Sequence, residues 1–236
     1  GVWDRAEDID WDKLPERFVL KCNHGCAYNI VVPNKAKLDK AATIKQLNAW
    51  LKEDFGAFNI ELHYSNIRNH RITCEEFLGD NITDYKFFCF NGIFKILLVC
   101  SNRSCNLEET WYDKEFKLID LTEGGHPRNT KIKKPNNYEK MIQLAEKLSK
   151  NIPFLRVDFY EIENKIYFGE LTFYPASGFE KFNPEKYNYV LGDMLSLPSI
   201  NKKKKILFVN SSLSSGGSER VMTLIANELS LKDYNV

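Results

Sequence analysis

Two apolar runs, Asp84 to Phe90 and Ile93 to Cys100, flank the dipeptide Asn91-Gly92. A two-residue type I′ turn prefers that pair because both of its central residues need positive φ. The middle of the chain is thereby committed to an antiparallel hairpin, and in its regular register Asp84, Lys86 and Lys95 share one face. A second strand pair lies downstream. There Leu155, Val157 and Phe159 alternate with Arg156, Asp158 and Tyr160, and Ile166 to Tyr174 returns after a short polar turn. A period of two gathers the three polar side chains on one side.

With a three-residue turn, Glu163-Asn164-Lys165, Ile162 pairs with Ile166, Asp158 faces Glu170 and Arg156 faces Thr172. Like charges in a cross-strand pair repel, with facing Cβ atoms only ~4.5–5.5 Å apart, so this arrangement calls for a cation. Mg²⁺ suits it, because that ion takes oxygen ligands, keeps some water and shares its shell with substrate phosphates. Arg156 beside it is the residue type that grips a phosphoryl group or carboxylate bidentately. A two-residue turn instead puts the acids on opposite faces and leaves an exposed charged sheet. Register decides between the two.

The remaining elements follow the same signals. Phe18-Val19-Leu20-Lys21 reads as a buried strand, followed by a loop from Cys22 to Asn29 and a second strand from Ile30 to Val32. Ile44, Leu47 and Leu51 recur at helical spacing, with Asp39 as cap and Gly56 as stop. Arg71 to Leu78 reads as a strand, residues 107–136 as turn-rich with Trp111-Tyr112 packed on the sheet, and Asn137 to Lys150 as a helix with Met141, Leu144, Ala145 and Leu148 on one side. The class is α+β.

At 236 residues and 43% hydrophobic content the chain can bury a sizeable core, which excludes disorder for most of it. Its net charge of +1 excludes a global field toward nucleic acid or anionic lipid, so any phosphate must be held locally. The longest apolar stretch, Phe94 to Cys100, is far short of the ~20 residues that span a bilayer, and no signal peptide opens the chain. Gly1 in place of an initiator Met, and an end at Val236 inside a nascent strand, suggest cuts at both termini. Six cysteines without a CxxC pair point to buried free thiols in a reducing cytoplasm. A zinc site from Cys22, His24 and Cys26 with Cys100 and Cys105 lacks the usual spacing.

Five phrases in order resemble the TupA-like branch of the ATP-grasp superfamily: Phe18 to Gly25, Glu75 to Leu78, Asp84 to Gly92, Arg156 to Tyr160 and Gly169 to Gly178. The resemblance covers residues 1–197 and implies two α+β subdomains clasping ATP, with a preceding domain upstream of Gly1. It makes Lys21 the lysine on the nucleotide phosphates and the loop with Asn23, His24 and Gly25 the flap over them. Glu75, Glu76, Phe77 and Leu78 become the adenine-binding segment. Asp158 and Glu170 become magnesium carboxylates, with Thr172 where many relatives carry a liganding Asn. Arg156 and Lys86 become the basic catalytic residues at the transferred phosphoryl group. Ala27 stands where relatives more often have glycine. The implied reaction is ligation of a carboxylate, an amino acid or sugar acid, to an amine through an acyl phosphate. It serves cell-surface polymers such as capsular polysaccharide or teichuronopeptide, with ATP and Mg²⁺ as cofactors and no nucleic-acid partner.

After a lysine-rich linker, 198–205, the chain reads strand (Ile206 to Asn210), Ser/Gly loop and helix from Ser218. This resembles the opening of a GT-B group-1 (family 4) glycosyltransferase, an incomplete Rossmann-like βαβ start over 206–236. Two other functions stand beside the ligase: a glycosyltransferase carrying a degenerate ATP-grasp binding module, and a phosphotransferase. The absence of His-Arg-Asp and Asp-Phe-Gly phrases weighs against the last.

Overall fold

A computed structural model describes residues 1–59, 61–198, 221 and 224–229, and the chain divides into two units, Gly1–Ser196 and Leu197–Val236. In the first unit the strands are β1 (Val2–Trp3), β2 (Phe18–Cys22), β3 (Asn29–Val32), β4 (Ile72–Glu76), β5 (Asp84–Phe90), β6 (Ile93–Ser101), β7 (Glu108–Asp113), β8 (Phe154–Ile162) and β9 (Lys165–Thr172). The helices are α1 (Lys40–Trp50), α2 (Phe55–Asn59), α3 (Leu62–Ser65), α4 (Tyr138–Ser149) and α5 (Lys186–Asp193). Two antiparallel sheets result, ordered β1-β4-β2-β3 and β7-β6-β5-β8-β9. Among the described residues no helix is long and apolar enough to cross a membrane.

The smaller sheet packs on α1. Asp39 caps that helix, its Oδ1 accepting from Ala42 N at 2.9 Å, and Leu47 on its inner face is fully buried against Phe18, Leu20 and Ile72. The helix ends near Leu51, ahead of the expected stop. Gly56 lies inside α2, where a Cβ would sit 2.4 Å from Ser65 Oγ and 2.7 Å from the Glu61 carbonyl, so glycine here serves close packing.

The larger sheet is apolar on one face and polar on part of the other. Tyr85, Phe87, Leu97, Val99, Val157 and Phe159 meet Tyr138, Met141 and Ala145 of α4. Leu148, expected on that buried side, is 42% exposed, and Ser149 takes the inner position. Residues 108–113, expected as turn-rich chain, form the fifth strand, and Trp111 is fully buried on the other face against Phe88 and Leu121.

Both hairpins of this sheet carry a bulge, and each bulge decides a face. The Asn91-Gly92 turn forms as expected, with φ of 52° and 78°. However, Phe88 pairs with Ile96 and Cys89 with Phe94, leaving Lys95 as the extra residue, so Ile96, Leu98 and Cys100 join Asp84 and Lys86 and Lys95 does not. In the second hairpin the turn has two residues, Glu163 and Asn164, both at positive φ, and Ile162 pairs with Lys165. That turn alone would put Asp158 and Glu170 on opposite faces. The irregularity between Phe159↔Phe168 and Asp158↔Glu170 inserts Gly169 and restores them to direct opposition, with Arg156 facing Thr172. Gly169 fits because its missing Cβ would lie 3.1 Å from the Asp158 carbonyl and from the Tyr160 ring.

In the second unit Leu224–Leu229 is helical, in line with the helix expected there. The strand at 206–210 and its glycine loop lie outside the described residues.

Candidate active site

On the face of the larger sheet away from α4, side chains form rows across the strands. One row runs Glu109, Cys100, Asp84, Tyr160; the next runs Trp111, Leu98, Lys86, Asp158, Glu170; the third contains Ile96, Phe88, Arg156 and Thr172. Charged groups thus meet because Lys86 and Asp158 are paired across β5 and β8, Asp158 and Glu170 across β8 and β9, and Asp84 and Arg156 sit two residues along their strands.

Lys86 Nζ lies 2.5 Å from Asp158 Oδ2 and 2.7 Å from Asp84 Oδ2. The Arg156 guanidinium grips Asp158 with Nε and Nη2, both at 2.8 Å, and Nη2 is 3.7 Å from Glu170 Oε1. Arg103 Nη1 reaches Asp84 Oδ2 at 2.5 Å, and Thr172 Oγ1 donates to Glu170 Oε1 at 2.6 Å. Asp84 and Asp158 are each 1% exposed. Asp84, Asp158, Lys86 and Arg156 therefore balance one another with little help from water, while Arg103 and Glu170 reach out to solvent at the rim of the cluster.

Burial drives the Asp84 carboxyl above its ordinary value, the nearby Asp158 charge adds to that, and Lys86 opposes it. Burial pulls Lys86 down, but Asp158 and Asp84 outweigh it and the ammonium is held up. Arg156 is raised in the same way against its own burial. Glu123 is pushed up to about 8 by burial and by the Glu180 and Glu109 carboxylates. A carboxyl raised that far is mostly protonated at neutral pH, about nine-tenths at pH 7, so it stands there as a proton donor.

Asp158, Glu170 and Thr172 supply only hard oxygen donors, the chemistry of Mg²⁺. Among the described residues no three His, Cys, Asp or Glu side chains come together to hold a metal. Such a set is too small for a cage and fits an ion that completes its shell from phosphates and water.

The smaller sheet presents the other expected residues. Lys21, half-exposed on β2, reaches Glu75 Oε2 on the neighbouring β4 at 2.5 Å. Asn23 is pinned at the base of its loop, accepting from Arg71 N at 2.8 Å and donating to the Asn69 carbonyl at 3.1 Å. Gly25 packs where a Cβ would be 2.7 Å from the Tyr28 ring, and Ala27 adopts φ of 60°. Glu75 and Glu76 pair with Val19 and Phe18, the Phe77 ring lies under Arg17 at 4.1 Å, and Leu78 follows half-buried. The tip of the loop approaches the larger sheet: the Cys26 thiol is raised by burial and then by the Glu170 and Glu61 carboxylates.

His24 is turned away from that cleft. It is 1% exposed, its Nε2 is 2.8 Å from the Trp50 carbonyl, and its ring stacks on His70 at 3.6 Å between centroids. Its Nδ1 is buried without a partner among the described residues. The six cysteines are free; Cys22, Cys89 and Cys100 are buried, whereas Cys26 and Cys105 are exposed against the expectation of burial. Cys22 belongs to the smaller core and Cys100 to the larger sheet, on separate hydrophobic clusters.

Sequence reading put Asp84 on the Lys86 face without giving it a role in the site, and overlooked Arg103 and Glu123 as members of the cluster. Asp84 carried a signal, since it precedes Lys86 by two residues on one strand. Arg103 and Glu123 come from loops and carried none.

The TupA-like ATP-grasp family matches residues 1–196. No curated protein sequence gives a significant match. Among solved structures, the D-alanine–D-alanine ligase from Bacillus anthracis complexed with ATP aligns at 16% identity and TM-score 0.42 over 73% of this chain and 45% of its own. A second structure of a Bacillus anthracis D-alanine–D-alanine ligase gives 14% identity, TM-score 0.44 and coverages of 83% and 58%. The Helicobacter pylori enzyme gives 16%, 0.34, and 70% and 44%. The chain spans about half the length of these structures.

Proposed function

The chain belongs to the TupA-like ATP-grasp family, and from that premise we propose that it is an ATP-dependent ligase joining a carboxylate to an amine through an acyl phosphate. The observation that carries this reading is the convergence of Lys86, Arg156, Asp158, Glu170 and Thr172 on one sheet face. A substrate carboxylate oxygen attacks the γ-phosphorus of ATP and ADP leaves; the amine nitrogen then attacks the acyl carbon, phosphate leaves, and the nitrogen loses its proton as the amide forms. Charge spread over a phosphoryl group in transit is stabilised by placed cations, here Lys86 and Arg156 exchanging carboxylate contacts for phosphoryl oxygens. Asp158, Glu170 and Thr172 are the residues to hold Mg²⁺, which supplies charge neutralisation on the phosphates when bound.

Lys21 and the backbone of Asn23 to Tyr28 take the nucleotide phosphates, and Glu75, Glu76, Phe77 and Leu78 border the adenine. His24 contributes by anchoring this loop rather than by touching ATP. The substrate is an amino acid or sugar acid, and the setting is cytoplasmic assembly of a surface polymer, capsular or teichuronopeptide-like. Residues 206–236, after the 198–205 linker, are the start of a fused glycosyltransferase.

Hydroxylamine, a small amine nucleophile, converts an acyl phosphate to a hydroxamate. Incubation with ATP, Mg²⁺ and a panel of amino and sugar acids is expected to release ADP and form hydroxamate with one class of acid. Asp158→Asn and Arg156→Met should each abolish both products. ADP release that needs no carboxylate and survives both substitutions would refute the ligase.

A further inference from the structure

The α4 face of the larger sheet ends in a cleft that the ligase reading leaves unused. It has a volume of ≈ 740 Å³ and lies between α4 and the edge strand β9, with Leu144, Leu148, Phe159, Ile166 and Phe168 as its apolar lining. Phe168 is 56% exposed and Leu148 42% exposed. Lys140, Lys147 and Lys165 rim it, and none of the three makes an ion pair among the described residues.

The edge of β9 adds a directional feature. A two-residue turn makes Ile162 and Lys165 the first hydrogen-bonded pair of its hairpin. In an antiparallel ladder the next pair, Glu161 and Ile166, and the pair Phe159 and Phe168 are then of the non-hydrogen-bonded kind. Ile166 and Phe168 consequently turn their N–H and C=O groups outward along the cleft, where a further strand would meet them.

We propose that this cleft docks an extended, acidic and apolar peptide segment of a partner protein, added as a sixth strand beside β9. Charge complementarity selects the occupant. A second copy packed two-fold through the same cleft would bring the same three unpaired lysines against one another, which is repulsive, whereas acidic side chains compensate them. The backbone edge of β9, which pairs with no strand besides β8 among the described residues, favours a peptide over a lipid, because only another backbone satisfies both its donors and its acceptors in register. The cleft is on the face opposite Lys86, Asp158 and Glu170, so occupancy leaves the proposed active site open. The inference stands independently of the ligase reading.

The test uses the full chain and a fluorescently labelled hexapeptide alternating Glu with Val, followed by anisotropy. Binding is expected to weaken with added salt and to fall at least tenfold in K140E/K147E/K165E. It should also fall at least tenfold for the same peptide N-methylated at alternate residues, which cannot pair with an edge. Three results would overturn the proposal: no binding of the Glu-Val peptide, equal binding of a Lys-Val peptide, or undiminished binding after N-methylation. So would lysine-dependent sedimentation with phosphatidylglycerol vesicles in place of peptide binding, or concentration-dependent dimers that disappear in Phe168→Asp.

Discussion

Lys86→Met is the most exacting test of the buried charge cluster. The side chain is 11% exposed, and its ammonium stands 2.5 and 2.7 Å from two carboxylates that are themselves almost fully buried. Methionine keeps most of the volume, so cavity formation contributes little and the loss is electrostatic. Removing one partner of a buried ion pair costs about 3–5 kcal/mol. Each carboxylate here retains an arginine, Arg156 on Asp158 and Arg103 on Asp84, which places the expected cost near the lower bound. About 3 kcal/mol is a factor of roughly 150 in the folded-to-unfolded ratio, and for a chain of this size a fall in Tm of about 6–12 °C.

The pH dependence separates this account from a packing defect. Burial already raises Asp84 above its ordinary value of 3.8, and Lys86 is the cation that most opposes the rise. Without Lys86 the carboxyl moves up further. A carboxyl raised in the folded state binds more protons folded than unfolded, so lowering the pH toward 3.8 restores stability relative to neutral pH. The deficit of Lys86→Met against the wild-type chain is therefore largest near pH 7 to 8 and shrinks on acidification. Urea unfolding at pH 7.5 and pH 5 measures it. A cost under about 1 kcal/mol, or one that stays constant with pH, would refute the reasoning.

His24, lowered by burial against the opposing pull of the Trp50 carbonyl and with His70, Glu53 and Asp54 nearby, gives the chain an acid limb. Its stabilising contribution is complete above the unfolded value of 6.5 and is lost as pH falls below it, and His24→Gln should flatten that limb in urea titrations between pH 7.5 and 5.5. Phe87→Ala removes a fully buried ring packed on Phe94, Tyr138 and Phe159 and should cost about 3–5 kcal/mol in chemical denaturation. Ala27→Gly relieves a left-handed residue, φ 60°, at the net expense of chain entropy, and should raise stability by about 0.5 kcal/mol in the same assay. Gly169→Val forces a side chain against the Asp158 carbonyl and should lower stability by about 1–3 kcal/mol while reducing hydroxamate formation through displacement of Glu170.

Elements whose boundaries are set by local chemistry were legible: the Asn91-Gly92 turn, the Asp39 cap, and α4 with its apolar stripe. The strand at 108–113 was not, because its alternation is short and lies among turn residues. It becomes a strand only by pairing Trp111 with Leu98 on β6. Lys95 shows the converse error. A regular hairpin register puts it beside Asp84 and Lys86, but a bulge, which depends on how Ile96 and Leu98 fill the core, removes it.

The candidate site depended on parity more than on composition. Reading Asp158 opposite Glu170 required a three-residue turn, yet the turn has two residues and the opposition survives because Gly169 adds one to β9. Two departures from the expected register cancel, and only the glycine, a residue without β propensity in the middle of a strand, marked where the compensation could occur. Residue identity therefore reveals the strand-borne groups of the site, while their charge states depend on partners drawn from several strands and loops. Asp84 is held up by burial, Lys86 by the carboxylates on two strands, and Glu123 by burial and then by Glu180 and Glu109 brought in from elsewhere in the chain. Apart from Asp84 with Lys86, no short window of sequence contains those pairings, so the protonation pattern on which the chemistry depends is a property of the assembled sheet.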